Sequence, residues 1–280
     1  MFQYAFGRAL SIKHKSELFL DLSWFEENNT STNRDFQLDL FNTDYCIADK
    51  KLIDFYKPIV YRGLNSALIR LNIGALQLPN YFIEKGISFN HSVHRISEKC
   101  YLNGYWQSEK YFLEYKNELL SEFELKNYLT KDIDNSILSK IQDTESVSLH
   151  IRRSDYNSNV NINIHGVLPI SYYQKSIEII NSKFNNPSYF IFSDDIEWAK
   201  NTFDFLPGNI HFISKNPNYI DLYLNSKCKH NIIANSTFSW WSAWLNNYPG
   251  KIVIAPSNWY SNKRLNDLTF DLLPESWIRI

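Results

Sequence analysis

The chain has 280 residues, a net charge of -1 and an isoelectric point of about 6.7. This length suits two domains, and the balanced charge gives no basic field that would attract nucleic acid. No apolar run approaches the ~18 residues that an integral membrane segment needs, and three scattered cysteines favour a reduced, cytoplasmic protein.

The first half of the chain gives an irregular series of predicted elements. An amphipathic helix opens the chain at Met1–Leu10, and a strand follows at Glu17–Asp21. A second strand is predicted at Tyr101–Trp106, before a long helix at Ser108–Phe123 with an aromatic side. The polar stretch Lys126–Glu145 carries little apolar periodicity and predicts a linker. We therefore expect two domains, at residues 1–130 and 131–280.

The second half of the chain alternates strands with helices. The predicted strands are Val147–Ile151, Tyr189–Phe192, Ile210–Ile213, Asn231–Ala234 and Lys251–Ala255. The predicted helices are Tyr172–Lys183, one capped from Ser193-Asp194-Asp195 and ending near Thr202, Asp221–Lys227, and Thr237–Asn246. Such alternation predicts an α/β fold, in which a parallel sheet is covered by helices on both faces.

Two adjacent arginines follow the first strand of this half. The segment Val147–Tyr156 alternates apolar and polar residues and then delivers Arg152 and Arg153 to the carboxyl end of the strand. Ligands of α/β proteins bind at that edge of the sheet. Guanidinium groups match phosphate oxygens bidentately, so the motif indicates a phosphate or pyrophosphate site. The motif alone is equally compatible with two solvated arginines at a strand end.

Polar residues also stand where the later strand at Asn231–Ala234 turns into its helix. Ser236 and Thr237 can cap this helix, and its positive dipole end can bind an anion, so we expect both roles together. Asp221 opens the preceding helix, and its first predicted role is that of an N-cap. Its two carboxylate oxygens could instead accept the N1–H and exocyclic N–H groups of guanine, a pattern that adenine does not offer.

Several common sites are disfavoured by the sequence. With only 8 glycines, the chain has neither G-x-G-x-x-G nor G-x-x-x-x-G-K-[ST], so a dinucleotide dehydrogenase or a P-loop enzyme is not expected. Asp132 and Asp134 form a D-x-D, but it lies in the polar linker, where solvated or capping carboxylates are expected. His91, His94 and Cys100 lack a fourth zinc ligand. We predict no metal site and no cofactor.

Six segments of the chain together resemble the α1,2-fucosyltransferases of glycosyltransferase family 11. The segments are Phe2–Leu10 (FQYAFGRAL), Gly104–Phe112 (GYWQSEKYF), His150–Tyr156 (HIRRSDY), Phe190–Ile196 (FIFSDDI), Asp221–Trp241 and Lys251–Trp259 (KIVIAPSNW). They spread over nearly the whole chain in the order of the family. The arginine segment and the segment NSTFSWW are specific to it.

The resemblance implies a GT-B architecture, in which two Rossmann-like domains face each other across a cleft. It implies inverting, metal-independent transfer of L-fucose from GDP-β-L-fucose, bound mainly by the C-terminal domain, to the 2-hydroxyl of a galactose-type acceptor. The acceptor would be a galactose-containing oligosaccharide or a lipid-linked glycan.

The resemblance also implies roles for individual residues. Arg152 would bind the pyrophosphate, His150 would lie near the nucleoside and Asp221 would contact guanine, while Ser236 and Thr237 would hold phosphate. We add Arg153 and Asn235 to the donor-binding group. Arg152 would stabilise the leaving group, and Asp155 is a candidate base, although a salt bridge to an arginine is an equally good role for it.

The chain departs from the family pattern at two places. Ser154 stands where the family usually has glycine. The leading apolar strand and the G-x-x-G-N-Q loop that normally precede the position of Met1 are absent, so we expect an N-terminal domain without its first strand. The alternatives to the fucosyltransferase are therefore a non-catalytic or impaired GDP-sugar-binding module, or a transferase of the same architecture that uses another GDP-sugar.

Overall fold

A computed structural model describes residues 1–26, 35–57, 80–153, 166–203 and 209–280. The chain divides into two compact units, Met1–Glu124 and Leu125–Ile280. Each strand pair of the described ranges is parallel. The predicted α/β fold with parallel sheets is therefore confirmed.

The first unit begins with helix α1 at Phe2–His14, which confirms the predicted opening helix and extends it. The helix buries aromatic side chains such as Tyr4 and Phe6, and it ends where Lys15 adopts a left-handed φ of 53°. Such a residue is a common terminator because its N–H can reach back to the last carbonyls of the helix. The other α-helices of this unit are α2 (Ser23–Glu26), α3 (Lys50–Tyr56) and α4 (Lys116–Glu122).

The strands of the first unit are short and form two separate pairs. Strand β1 (Phe19–Leu20) pairs with β2 (Cys46–Ile47), and β3 (Tyr81–Ile83) pairs with β4 (Tyr101–Asn103). The strands expected at Glu17–Asp21 and Tyr101–Trp106 are thus present but shorter than predicted.

The prediction of a long helix at Ser108–Phe123 is wrong. The segment forms two 3-10 turns, Glu109–Tyr111 and Leu113–Tyr115, before α4 begins at Lys116. Tyr111 and Phe112 are both buried, whereas neighbouring residues of an α-helix diverge by roughly 100°. The chain buries both rings by opening the helix at Phe112, whose φ is -143°.

The second unit contains most of the helices that the sequence predicts. Within the described residues, its α-helices are α5 (Asn135–Asp143), α6 (Ile170–Asn181), α7 (Ile196–Thr202), α8 (Asn218–Lys227), α9 (Thr237–Leu245) and α10 (Lys263–Asn266). Helices α6 to α9 correspond to predicted helices, whereas α5 and α10 were not predicted. Across the described parts of the whole chain, no helix combines the length and the apolar character needed to cross a membrane.

The prediction of a linker at Lys126–Glu145 is also wrong, because most of this segment is helical. It forms a 3-10 helix at Asn127–Asp132 and then α5, and both belong to the second unit. Leu129, Ile133 and Ile141 anchor the segment in the core although their spacing is irregular. Asp134 caps α5 by accepting the Ser136 N–H at 2.8 Å, which confirms the capping role expected there.

Six strands of the second unit form one parallel sheet. They are β5 (Ser146–Ile151), β6 (Ser188–Ser193), β7 (Asn209–Ile213), β8 (His230–Ile232), β9 (Val253–Ala255) and β10 (Ile278–Arg279). Their order across the sheet is β10-β9-β8-β5-β6-β7. Counted along the chain within this unit, this is the 3-2-1-4-5-6 order of the Rossmann fold, in which the order reverses between the first and the fourth strand.

Alternation along β5 sends its side chains to two different faces of the sheet. Val147, Leu149 and Ile151 join an apolar cluster with side chains of α6 and α7. Ser148 and His150 face the other way, where Ser148 Oγ accepts a hydrogen bond of 2.7 Å from Asn231 Nδ2. Strand β5 is buried along its whole length, and Arg152 follows it directly at its carboxyl end.

Candidate active site at the strand-order reversal of the second unit

The two motifs that the sequence singles out meet at one place in the sheet. Strand β5, which leads to Arg152, pairs directly with β8, which leads to Ser236. These are the two strands between which the strand order reverses. Helices leave the sheet on opposite sides there, so a crevice opens at the carboxyl ends of the strands. The fold therefore brings the arginine segment and the start of α9 to the position where such sheets bind ligands.

Arg152 is held by a carboxylate from the neighbouring strand. Its Nε lies 3.4 Å from Asp194 Oδ2, and Asp194 directly follows β6. The Arg152 side chain is 31% exposed, so the guanidinium is oriented by protein and still reaches solvent. The sequence analysis did not assign this role to Asp194. Its position one residue past a strand that pairs with β5 is the signal that could have found it.

Arg153 has a different environment from Arg152. Its guanidinium carbon lies 3.7 Å from the ring centroid of Trp198 on α7, and its Nε lies 3.9 Å from Asp195 Oδ2. Its backbone N–H donates to Asp194 Oδ1 at 2.9 Å. Asp195 also caps α7 by accepting the Trp198 N–H at 3.2 Å, which confirms it among the cap candidates. Arg153 thus joins the end of β5 to the start of α7.

His150 is a neutral residue beneath the ligand edge. Its ring is 5% exposed and lies 5.1 Å from the Phe238 ring at the start of α9. Burial, assisted by the nearby Arg152 charge, lowers the pKa of His150 to about 3. Its Nδ1 is buried and has no hydrogen-bond partner among the residues that the structure describes. A buried polar atom without a partner is costly, so this nitrogen suits a ligand that supplies one.

The start of α9 has the geometry of an anion site. Ser236 is the N-cap, and its Oγ accepts the Phe238 N–H at 3.3 Å, which confirms the expected capping role. Thr237, the first helical residue, is exposed. The positive end of the helix dipole therefore points to the same edge of the sheet as Arg152.

Asn235 fixes the loop in front of this helix. Its Nδ2 donates to the carbonyl oxygens of Gly166 and Trp259, each at 3.2 Å, and the residue is 1% exposed. These contacts tie the end of β8 to the segments that follow β5 and β9. Asn235 is therefore placed to hold the anion site in shape.

Asp221 is not the N-cap that the sequence predicts. Helix α8 begins at Asn218 with Pro217 at the cap, because the fixed φ of proline suits a helix start. Asp221 lies in the first turn, and its Oδ1 accepts a hydrogen bond of 3.0 Å from Asn216 Nδ2. Burial raises the pKa of Asp221 to about 6, with the Asn216 hydrogen bond acting in the opposite direction. A half-buried carboxylate of this kind gains from a ligand that donates hydrogen bonds.

Asn225 is a further polar residue on α8 that the sequence analysis missed. It follows Asp221 by four positions, so the two share a face of the helix. It is 1% exposed, and within the described parts of the chain neither its Oδ1 nor its Nδ2 has a hydrogen-bond partner. The i, i+4 spacing from Asp221 is the signal that could have found it.

The remaining candidates give no site in the part of the chain that is described. Asp155 and Ser154 lie outside the described residues, so the assignment of a base stays a prediction. Among the residues that the structure describes, no group of three or more His, Cys, Asp or Glu side chains could hold a metal ion. His91 and His94 instead lie beside Phe89, with ring centroids 4.9 and 6.3 Å from it.

Comparison with known proteins agrees with the arrangement of these motifs. Residues 56–280 match the family described as glycosyl transferase family 11. The chain is 40% identical, over 100% of its length and 94% of the relative, to an alpha-1,2-colitosyltransferase of Escherichia coli. It is 35% identical, over 100% of its length and 96% of the relative, to the O-antigen biosynthesis glycosyltransferase WbnK of Escherichia coli.

A more distant relative has a eukaryotic source. The chain is 26% identical to a galactoside alpha-(1,2)-fucosyltransferase 1 of Leontopithecus chrysomelas, over 51% of this chain and 42% of the relative. The family match covers most of the chain, including the whole second unit with its site at the strand-order reversal. The chain belongs to glycosyltransferase family 11 and is a glycosyltransferase.

Proposed function

We propose that the protein transfers L-fucose from GDP-β-L-fucose to the 2-hydroxyl of a galactose-type acceptor, with inversion and without a metal ion. The observation that carries this proposal is the meeting of Arg152 and the Ser236–Thr237 helix start at the ends of two paired strands. A guanidinium and a helix dipole are the groups that a pyrophosphate needs. The relative named as a galactoside alpha-(1,2)-fucosyltransferase supports the choice of sugar and linkage.

The reaction follows from the charges at this edge of the sheet. The acceptor oxygen forms a bond to C1 of fucose on the face opposite GDP, while the bond between C1 and the phosphate oxygen breaks. The electron pair of that bond stays on GDP, where Arg152 and the start of α9 stabilise the new negative charge. The acceptor proton passes to a base, for which Asp155 remains our candidate. Asp221 and His150 hold the guanosine.

A second candidate donor is a GDP-sugar that carries colitose, the 3-deoxy form of L-fucose. It is favoured by the 40% identical relative, which is named as a colitosyltransferase. The two donors share GDP, so Arg152, Asp221 and Ser236 serve both. The phosphate and guanine contacts do not depend on the 3-hydroxyl, and the 1,2 linkage is common to both relatives' names, so an assay with both donors distinguishes the two sugars.

The acceptor that we propose is a galactose-containing oligosaccharide or a lipid-linked glycan, met in the cytoplasm. The 35% identical relative, which is named for O-antigen biosynthesis, supports a bacterial surface glycan as its class. Charge does not oppose such a partner, because the net charge of the chain is -1.

Transfer and binding assays test the proposal. The chain is mixed with a panel of β-galactosides and with GDP-fucose, GDP-colitose or UDP-galactose, and GDP binding is measured separately by calorimetry. We expect transfer from a GDP-sugar and none from UDP-galactose. Tight GDP binding without transfer to any acceptor would favour the non-catalytic module, and the absence of GDP binding would refute the proposal altogether.

A further inference from the structure

His230 lies at the edge of the sheet opposite to the ligand edge, and the proposed reaction gives it no role. It is the first residue of β8, which pairs with β5 on one side and with β9 on the other. Glu145 directly precedes β5, and Ile252 directly precedes β9. The side chain of His230 therefore stands where the amino ends of three neighbouring strands meet.

Both ring nitrogens of His230 are engaged. Nδ1 lies 2.9 Å from the backbone nitrogen of Ile252, whose N–H can only donate, so Nδ1 accepts and carries no proton. The proton of the neutral ring is then on Nε2, which donates to Glu145 Oε1 at 2.7 Å. These two contacts fix one tautomer and join the start of β8 to the starts of both neighbouring strands.

The imidazole is enclosed by aromatic rings and by charged groups. It is 1% exposed, stacks on Phe184 at a centroid distance of 4.3 Å, and has the Tyr248 ring at 6.0 Å. Lys229 Nζ lies 3.6 Å from Glu145 Oε2, so the glutamate has a second cationic partner. Glu145 favours the charged imidazolium and Lys229 opposes it. Burial is the largest effect, and it lowers the pKa of His230.

A proton that His230 takes up has only one atom to bind. Because Nε2 already carries a proton, the second proton must attach to Nδ1, where it would face the Ile252 N–H. The hydrogen bond is then replaced by two opposed N–H groups, and the backbone donor of Ile252 loses its acceptor. Such a loss is costly inside a protein. Protonation of His230 is therefore opposed by geometry as well as by burial.

The contact that protonation breaks holds β9, and β9 leads to the ligand edge. This strand has three residues, and its pairing with β8 includes the Asn231 N–H to Ile252 carbonyl bond of 3.0 Å. Beyond its carboxyl end, the Trp259 carbonyl accepts from Asn235 Nδ2 in front of α9. Release of β9 would therefore withdraw a contact from the residue that is placed to hold the anion site.

We propose that His230 is a pH-sensitive switch, which holds β9 against β8 while its ring is neutral and releases β9 when Nδ1 takes up a proton. Glu145 is 30% exposed, so solvent reaches the carboxylate beside the ring. The ordinary pKa of histidine is 6.5, and the pKa of His230 in the closed sheet is lower. The opened form thus binds more protons, so the contact stabilises the sheet fully above pH 6.5 and is lost as the pH falls below that value.

Hydrogen exchange at β9, corrected for the chemical exchange rate, measures this opening without any ligand. For the peptide 251–256 of the unsubstituted protein, we expect the opening constant to rise by up to about tenfold between pH 7.5 and pH 5.5. His230→Gln keeps one donor and one acceptor but cannot be protonated. It should open more at pH 7.5 and lose most of the rise on acidification.

His94→Gln is the matched control, because His94 is exposed and is replaced in the same way. It should leave the acid response of β9 unchanged. Glu145→Gln keeps an acceptor for Nε2–H and removes the charge that favours the imidazolium, so it should make the opening of β9 more sensitive to acid. A purely structural hydrogen bond would instead give the same effect at both pH values.

Nitrogen-15 NMR of histidine-labelled protein tests the switch directly, with the His230 signals assigned by their absence in His230→Gln. We expect the tautomer with the proton on Nε2 at pH 7.5. The opposite tautomer, an imidazolium at pH 7.5, equal opening of β9 at the two pH values, or an unaltered acid response in Glu145→Gln would each overturn the inference. If His230→Gln does not fold, the tautomer assigned from contacts to Glu145 and the Glu145→Gln comparison still decide it.

Discussion

Arg152 and Arg153 are consecutive in the chain but have separate partners. Arg152 is held at Nε by Asp194, and Arg153 stacks on Trp198 beside Asp195. Trp198 lies against the apolar cluster of α6 and α7, so Arg153 belongs to the packing of that face. The sequence motif therefore combines one residue suited to bind phosphate with one suited to hold a helix.

We expect Arg152→Ala to weaken GDP binding by roughly 10- to 100-fold, the range for one charge-assisted hydrogen bond. Arg152→Lys should restore little, because an ammonium cannot reproduce the bidentate contact of a guanidinium. Calorimetry with GDP measures both. Near-normal GDP affinity and turnover in Arg152→Lys would exclude the pyrophosphate assignment.

Arg153→Ala is the companion variant, and its main effect should be on stability. It removes the stack on Trp198 and leaves Asp195 without its ion pair, so we expect a loss of about 1–2 kcal/mol in the free energy of unfolding. Thermal unfolding would measure it. A normal melting temperature together with lost GDP binding would assign Arg153 to the ligand as well.

Asp221 should make GDP binding selective and dependent on pH. A carboxylate facing guanine gains two donors, so GDP should bind at least roughly tenfold more tightly than ADP. The pKa of Asp221 is about 6, so the ratio of GDP to ADP affinity should fall as the pH drops below 6 and the carboxylate takes up a proton. ADP is the control, since its phosphates titrate as those of GDP do. A ratio near one at pH 7.5 would contradict the GDP-sugar assignment.

Asp221→Asn should stabilise the protein at pH 7 while it abolishes the preference for GDP. Burial raises the folded-state pKa of Asp221 above the ordinary value of 3.8 for an aspartate, so its charge disfavours folding. That penalty is absent only well below pH 4, where both states are protonated, grows as the pH rises through the two pKa values, and is complete above about pH 6. It amounts to at most about 3 kcal/mol, and to less after allowance for partial exposure to solvent. Unfolding of both proteins at pH 4 and pH 7 would test this, and equal differences at the two values would contradict it.

At the scale of elements, Tyr172 on α6 connects the ends of two strands. Its hydroxyl lies 2.7 Å from the Ile233 carbonyl oxygen and 3.1 Å from the Ile254 carbonyl oxygen, in the interior. Ile233 directly follows β8, and Ile254 lies within β9. The contact therefore stands immediately before the Asn235–Ser236 turn that leads into α9.

We expect Tyr172→Phe to lower the free energy of unfolding by about 1–2 kcal/mol, because it leaves buried carbonyl oxygens with fewer donors. It should also weaken GDP binding, since the turn at Ser236 loses a support. Tyr189→Phe is the control. The Tyr189 hydroxyl donates a hydrogen bond of 2.7 Å to Asn181 Oδ1, and this contact is not at the ligand edge of the sheet. Chemical unfolding and calorimetry would show whether only Tyr172→Phe affects GDP.

The sequence predicted those elements whose pattern is set by their own residues. Strand β5 and helix α9 were found because alternation and capping residues are local features. Both motif segments were placed at the correct edge, since the carboxyl ends of parallel strands share one edge. Their meeting at adjacent strands was not predictable, because the order of strands depends on packing between distant segments.

Where the prediction failed, tertiary contacts decided the local structure. The segment Ser108–Phe123 does not form one continuous α-helix, because the rings of Tyr111 and Phe112 are both buried. The segment Lys126–Glu145 folded despite its polarity, because a few apolar side chains anchor it in the core of its own unit. Asn225 and Asp194 were missed since their roles depend on a helix face and on a neighbouring strand.

At the scale of the whole molecule, we expect transfer activity to persist in excess EDTA. Arg152 and the start of α9 supply positive charge for the pyrophosphate, and Asp134 of the D-x-D is occupied as a helix cap. The measurement is the initial rate with and without EDTA, with added Mn²⁺ as the control. Complete loss in EDTA with rescue by Mn²⁺ would contradict the phosphate site that we propose.

The pairing of β5 with β8 has a consequence for the order of folding. Strands β5, β6 and β7 follow one another and can pair as they emerge from the ribosome, whereas Val147 meets His230 only after a long intervening segment has been made. Closing such distant contacts is slow, so the two halves of the sheet should dock last. If GDP binds across that boundary as we propose, it should favour the docked state by mass action, and hydrogen exchange at the β5 and β8 amides should slow most when GDP is added.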